Sequence, residues 1–424
     1  VRLCLGVTIC LLACTTVLAA ERARVRVVTI HDPITPVTAQ FLHRTLSDAA
    51  RSGDSLVLVE LDTPGGLDTA MREIVKDLFA SPVPLAVYVA PSGARAASAG
   101  AIICLAADVC AMAPGTNIGA AHPVSLGEKP DKTMEEKVVN DAEAYVEGIA
   151  RKRGRDETLA RRMVRESISL SADKALAGKV IDLIARDRAE LLHQMEGRRV
   201  MHNGREANLR LAGAEAVSAE MRPGERILNT ISNPNVAYVL MMLGMLGLFF
   251  ELSNPGVILP GVIGGISLIL AFFAFQTLPV NYAGALLILL ALVFFIADIK
   301  VSSHGMLTVG GVIAMVFGSL LLFESPAPYL RVSWSVILAT VLATTVFFSV
   351  AIAKAVHVHH LKPATGAEGL LEQEGRAESA IAPEGRIFVN GEYWDAWSDR
   401  PIAAGSRVAV EGVEGMRLKV REIT

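Results

Sequence analysis

From Val25 to about Ile184 the apolar positions follow two periods in turn. Short β-branched runs such as VRVVTI, SLVLVEL and PLAVYV alternate with stretches of helical spacing such as FLHRTLSDAA and MREIVKDLF. A repeated switch from period 2 to period 3.6 predicts β/α units around a mostly parallel sheet. Between about Arg186 and Asn235 the chain turns polar, and GRRVMHNGREANLRL reads as a small hairpin turning at Asn203-Gly204, within a β-rich appendix and linker. Apolar stretches follow at about Val236 to Leu252, Val257 to Gln276, Tyr282 to Ile299, Met306 to Phe323 and Trp334 to Val356. Each approaches the roughly 20 residues that cross a bilayer, and five in close succession do not suit a soluble core. Five spans are expected, four being the alternative, with Val236 to Leu252 the weakest because it is short and meets Glu251 near its end. From Pro363 to Thr424, RIFVNGEYWDAWS carries a second hairpin signal at Asn390-Gly391, and alternation returns in RVAV and at Met416, Leu418 and Val420. Short strands over so few residues predict a small barrel such as an OB-fold.

The first residues, VRLCLGVTICLLACTTVLAAER, have one early positive charge, a short apolar run and small residues before Glu21-Arg22. This is the pattern of a secretory signal cleaved near Ala19 or Ala20, with an uncleaved anchor as the alternative and a loose lipoprotein-like site at Cys14. The expected domains are therefore a signal at 1–20, an α/β domain at 21–185, the appendix at 186–235, a membrane region at 236–356 and a soluble end domain at 363–424. Export of the first domain and five spans would return the C-terminus to the cytoplasm of a bacterial-type inner membrane. Lys300, Lys354 and Lys362 then lie inside and Arg331 outside, as the positive-inside rule asks.

Composition narrows the chemistry. Hydrophobic residues reach 52% and charged residues 20%, so greasy and soluble segments alternate. A formal net charge of -3 and the lack of a basic, aromatic-laced cluster exclude nucleic acid as a partner. Of five cysteines, Cys4, Cys10 and Cys14 fall in the signal, and the remaining Cys104 and Cys110 imply no disulfide framework. The histidines of HVHHLK read as a membrane-flanking patch rather than a metal site.

Two segments carry candidate chemistry. SLVLVELDTPGG ends a strand at Gly65 and Gly66 before a helical pattern, where glycines let backbone N–H groups face a bound carbonyl; a plain strand-to-helix turn is the alternative. PLAVYVAPSG is followed by ARAASAGAIICLAA, a small-residue helix beginning near Ser98. A serine there gains from the helix dipole, and Ala97, Ala99 and Gly100 leave room for substrate, although a helix cap with tight packing explains it equally.

Together, DTPGG, SAGAIICLAAD and APGTNIGAAHP resemble the Clp protease and signal-peptide peptidase superfamily, which shares its fold with the crotonases. The resemblance is closest to the long form of the NfeD membrane proteins and extends through LMMLGMLGLFFELSNPGVILPGVIGGISL, TLPVNYAGALL and NGEYWDAWS. It implies a Clp/crotonase-like α/β domain and a serine/lysine dyad, placed at Ser98 and Lys137. Spacing alone does not choose among Lys129, Lys132 and Lys137. Periodicity puts Met134, Val138, Ala142, Tyr145 and Ile149 on one helical face with Lys137 at its edge, so a partly buried stem is expected; a solvated Lys137 paired with Asp141 is the bland alternative. A lysine base must fall from a pKa of about 10.4 toward roughly 7 to 8, which requires desolvation.

A Ser/His/Asp triad is the rival, since His122 follows Ser98 at near-Clp spacing, but the acid's place before LSADKALAGKVID holds Ser167. His122 is expected to pack near the site or touch substrate, as is Gly65, with a satisfied structural histidine as the default alternative; Gly66 and Ala99 are expected to form the oxyanion hole. No cofactor, metal or ATPase motif is expected. The resemblance implies stomatin-like membrane proteins as partners or substrates, besides a peptide substrate, membrane lipid and other copies in a homo-oligomer. The competing functions are a non-catalytic membrane scaffold and a crotonase-like acyl-thioester enzyme.

Overall fold

The computed structural model describes residues 23–423 except 125–130, 254–255, 277, 302–304, 326 and 360–366. The expected signal with Cys14, Ala19 and Ala20, together with Lys129, His360 and Lys362, lies outside the described residues, as do the side chains of Lys300, Lys354, His357 and His359. The chain divides into two compact units, one running to Val293 and taking in Gly310–Ala343, the other comprising Phe294–Val309 and the chain from Thr344.

The first unit opens with β/α repeats: β1 (Arg24–Ile30), α1 (Pro36–Ser52), β2 (Leu56–Leu61), α2 (Asp68–Ala80) and β3 (Leu85–Val89). Local signals set their limits. Thr35 caps α1 by accepting from the Thr38 N–H, Pro36 fills its first turn, and Gly53 ends it in the left-handed region at φ 67°. Then follow β4 (Arg95–Ala97), α3 (Ala99–Ala106), β5 (Val109–Met112), β6 (Asn117–Gly119), α4 (Lys132–Arg153), α5 (Glu157–Arg165), β7 (Ser169–Ser171), α6 (Ala172–Ala177) and β8 (Leu183–Ile184). The polar stretch adds α7 (Arg188–Met195), β9 (Arg199–His202), β10 (Arg205–Asn208) and β11 (Glu215–Ala219).

The main sheet runs β11-β1-β2-β3-β5-β8, every pair parallel. Helices cover it, so β2 and β3 are almost wholly buried and read as continuous apolar runs. A smaller sheet, β4-β6-β7, braces the segment that enters α3. The hairpin at Asn203-Gly204 is present, with both residues at positive φ between antiparallel β9 and β10. The stretch after Arg186 is more than an appendix, however, because β11 returns to become the edge strand beside β1. An edge strand needs little apolar surface, and EAVSA hides in polar sequence for that reason.

The chain leaves this sheet through α8 (Pro223–Ile231), which is docked rather than free. Arg44 donates to both carboxylate oxygens of Glu225, at 2.8 and 2.7 Å, and Asn229 Nδ2 donates to Asp32 at 3.0 Å. Five apolar helices follow: α9 (Pro234–Ser253), α10 (Leu259–Phe275), α11 (Tyr282–Lys300), α12 (Met306–Leu322) and α13 (Trp334–His359). Three are long and apolar enough to cross a membrane, whereas α10 and α12 have 17 residues each. At 1.5 Å per residue those two reach about 26 Å, slightly under a core of roughly 30 Å. The weakest helix is thus not the first, because Pro234 opens α9 before the apolar run begins and gives it 20 residues. Close approach of backbones joins α9 to α10, where a Cβ on Gly247 would lie 2.8 Å from Gly264 Cα. Large apolar side chains such as Ile269, Phe272 and Leu338 face outward at 60 to 68% exposure, as lipid contact requires.

In the second unit, β12 (Glu374–Ala377), β13 (Glu384–Val389), β14 (Glu392–Trp397), β15 (Arg407–Glu414) and β16 (Arg417–Glu422) close a barrel in the order β12-β13-β14-β16-β15. Asn390 and Gly391, at φ 52° and 86°, make the expected turn between β13 and β14. Ile387, Val389, Val408, Leu418 and Val420 fill the interior.

Candidate active site

Ser98 stands between β4 and α3 at φ 53° and ψ −117°. A non-glycine residue there stores roughly 1 to 3 kcal/mol of strain, and its surroundings hold it: the Ser98 N–H donates to the Gly119 carbonyl at 2.9 Å. The cap reading fails, because the Ser98 side chain makes no capping bond to α3. The hydroxyl is therefore not committed to capping the helix, and the Ala99 N–H, first of α3, has no intrahelical partner.

The DTPGG turn is held against this serine from the opposite side. The Ile34 N–H donates to the Gly65 carbonyl at 2.8 Å and the Leu67 N–H to the Ile34 carbonyl at 2.9 Å. Thr63 Oγ1 accepts from the Gly65 N–H at 3.2 Å and donates to the Gly65 carbonyl at 3.0 Å. Both backbone groups of Gly65 are thus committed, and what it offers is the absence of a side chain: at φ 123°, a Cβ would lie 2.9 Å from Ser98 Cβ and 3.4 Å from its Oγ. At Gly66 a Cβ would overlap the Ile34 carbonyl. Gly66 faces Ile34 in a parallel bridge, and in that pattern its own N–H turns away from Ile34.

Gly66, Ser98, Ala99 and Lys137 line one cavity of about 530 Å³. Lys137 lies on the second turn of α4, which begins where Asp131 accepts from the Met134 N–H at 2.8 Å. Its expected partial burial is not found; the residue is exposed. The apolar face marked by periodicity seats against the core only from Ala142 onward, while Met134 and Val138 are 50% and 43% exposed. Residues 132–138 of α4 are exposed.

The bland partner of Lys137 is taken elsewhere. Asp141 accepts from Arg72 Nη2 at 2.7 Å, Arg72 also donates to Asp68 at 2.8 Å, and its guanidinium lies 4.3 Å from the Tyr145 ring centre. Burial opposes the Arg72 charge, but the bonds to Asp68 and Asp141 outweigh it and hold the guanidinium above its ordinary pKa. Among the described residues no carboxylate pairs with Lys137.

His122 lies off the cavity. Its Nδ1 is 2.9 Å from the Val164 carbonyl, so that nitrogen carries the proton, and no carboxylate contacts the ring among the described residues. Ser167, in the acid's place, is exposed. Three features have no counterpart in the sequence reading. Arg72 orders the acidic side of the cavity. Cys104 and Cys110 form a buried disulfide between the end of α3 and β5, which a single pair does not announce in sequence. Tyr329, from the loop between α12 and α13, enters the cavity wall with its hydroxyl 3.2 Å from the point a Gly65 Cβ would occupy; burial raises the pKa of this phenol.

Residues 24–211 match the NfeD1b N-terminal domain, 235–354 the NfeD integral membrane domain, and 367–422 the NfeD-like C-terminal, partner-binding domain. The chain is 35% identical over 409 residues to the membrane-bound protease PH1510 of Pyrococcus horikoshii, covering 93% of this chain and 92% of that one. It is 29% identical over 430 residues to the membrane protein NfeD1b of Bacillus subtilis, covering 95% and 94%. Among solved structures, the 1510-N membrane protease specific for a stomatin homolog from Pyrococcus horikoshii is 32% identical, covering 50% of this chain and all of that one, with a TM-score of 0.45. The α/β domain around a mostly parallel sheet, the apolar helices and the closed end barrel match what was expected, and the chain belongs to the NfeD family of membrane proteins.

Proposed function

We propose that this protein is a membrane-embedded serine endopeptidase with Ser98 as nucleophile and Lys137 as general base. The observation that carries the reading is the shared cavity: a strained serine whose hydroxyl caps no helix and a lysine whose i+4 acid, Asp141, is engaged by Arg72. Ser98 Oγ attacks the peptide carbonyl carbon and its proton passes to Lys137 Nζ. The C–N bond then breaks as that proton reaches the leaving amine, and water hydrolyses the acyl ester. The N–H groups of Gly66 and Ala99 receive the oxyanion, while Gly65 contributes room for it. Since Lys137 is exposed, the desolvation its role requires comes from the substrate as it covers the cavity. A fluorophosphonate should label the wild type and not Ser98→Ala, with Lys137→Ala labelled slowly; labelling of Ser98→Ala at the wild-type rate would overturn the assignment.

The substrates in this reading are extended, apolar segments of membrane proteins, with a stomatin-like protein as partner, which the family's partner-binding end domain supports. Exposed Met134 and Val138 beside the cavity suit either such a segment or a second copy in a homo-oligomer. The buried disulfide supports an extracytoplasmic α/β domain, and five crossings would then leave the barrel in the cytoplasm. A tag appended to the C-terminus should be protected in right-side-out vesicles, and its digestion would favour four crossings. A second reading, a non-catalytic scaffold for a stomatin-like partner, draws on the same end domain; it requires that Ser98 remain unlabelled in a chain that still binds its partner.

A further inference from the structure

A second hollow, of about 270 Å³, lies beside the catalytic cavity. The two share Gly66, Leu67, Tyr329 and Leu330 in their linings, and so adjoin. The rest of their linings differs in character. The catalytic cavity is lined also by the charged cluster of Asp68, Arg72 and Asp141. The second hollow is lined also by Val236 of α9 and by Leu278 between α10 and α11. Asp32, Asn229 and Thr230 line it too, the last two from α8, the helix that Arg44 and Asp32 pin to the α/β domain. The adjoining hollows thus take in residues from the membrane region to Ser98 within one compact unit.

We infer that the second hollow is a binding site for the part of an extended apolar substrate that leads back to the bilayer, and that Tyr329 and Leu330 form the step over which this chain passes to Ser98. The inference rests on the peptidase reading. A segment drawn from the bilayer is apolar, matching Val236, Leu278 and Leu330, and it arrives extended, with backbone groups that polar lining such as Asn229 and Thr230 can bond. Loop residues of the membrane region would then act in specificity: Tyr329 sets the width beside the scissile bond, and no sequence motif of the α/β domain encodes it.

The test uses the full-length protein in detergent and two fluorogenic apolar peptides. One is short enough to fill the catalytic cavity alone. The other is long enough, at about 3.3 Å per extended residue, to continue into the second hollow. Thr230 is exposed and accepts a large side chain without core strain. Thr230→Trp should raise KM for the long peptide about tenfold more than for the short one, and Val236→Trp should act in the same direction. Labelling of Ser98 by fluorophosphonate in each variant certifies the fold. Labelling with an unchanged long-to-short ratio overturns the second site and leaves the peptidase reading standing; absence of labelling and of cleavage in the wild type overturns both.

Discussion

Arg72 Nη2 donates to Asp141 at 2.7 Å, and so the carboxylate one turn from Lys137 is engaged by another cation. In the proposed dyad, an unengaged acid at i+4 would pair with Lys137 and draw it away from Ser98. Arg72 would leave the lysine free for that role without touching the reacting atoms.

Arg72→Ala should therefore lower peptidase activity about tenfold. Arg72→Ala/Asp141→Asn should recover most of the activity. A loss that is not recovered by the second change would make Arg72 merely structural.

Ser98→Ala should abolish cleavage while leaving insertion and folding intact. Lys137→Ala should cost roughly 10² to 10⁴ in kcat, the worth of a general base, and His122→Ala far less. Kinetics of the three purified variants give the order, and a larger loss at His122 would restore the triad.

At Gly65 the φ of 123° and the proximity of Ser98 exclude a side chain. Gly65→Ala should destabilise the domain by about 1 to 3 kcal/mol and reduce fluorophosphonate labelling at least tenfold in protein that remains folded. Circular dichroism melts and labelling rates separate the two effects. Normal labelling would show that the turn can retreat from Ser98.

His202 Nδ1 pairs with buried Asp108 at 2.9 Å, and Asp108 also accepts from Arg153. The bond to Asp108 raises the His202 pKa, with burial opposing and the Asp108 charge assisting. A raised folded value means that this stabilisation is complete below the unfolded value of about 6.5 and fades as pH climbs through the folded one. His202→Ala should thus lower the melting temperature more in mildly acidic than in alkaline buffer. A deficit equal at both would remove the charged pair from the account.

Joining residues six apart, the Cys104–Cys110 bond closes a short loop at the end of α3. Replacing both by alanine should cost about 2 kcal/mol, read from denaturant melts with and without reductant. No change in either comparison would mean that the bond does not form in the mature protein.

Much of this architecture was readable where local pattern and burial coincide. The apolar runs of β2 and β3 are strands because both faces are covered, and the Asn-Gly pairs turn because they tolerate positive φ. Ser98 stood out through its small neighbours, of which Ala96, Ala99 and Gly100 are buried. The misses share a different cause. Periodicity in α4 marks an apolar face without revealing what covers it, so the exposure of Lys137 was invisible. The polar strand β11, the Arg72–Asp141 pair and Tyr329 against Gly65 all join residues far apart in sequence, and no local signal carries such meetings.

The pairing of β1 with β11 has a bearing on biogenesis. One edge of β1 finds β2 soon after synthesis, but the other waits until residues 215–219 have emerged. Until then the nascent domain presents an open strand edge, the kind of surface that chaperones hold and that aggregates form on. β11 covers that edge once Ala219 has emerged, and among the described residues the first apolar helix begins at Pro234. Completion of the α/β sheet and emergence of that helix are therefore closely spaced events in synthesis.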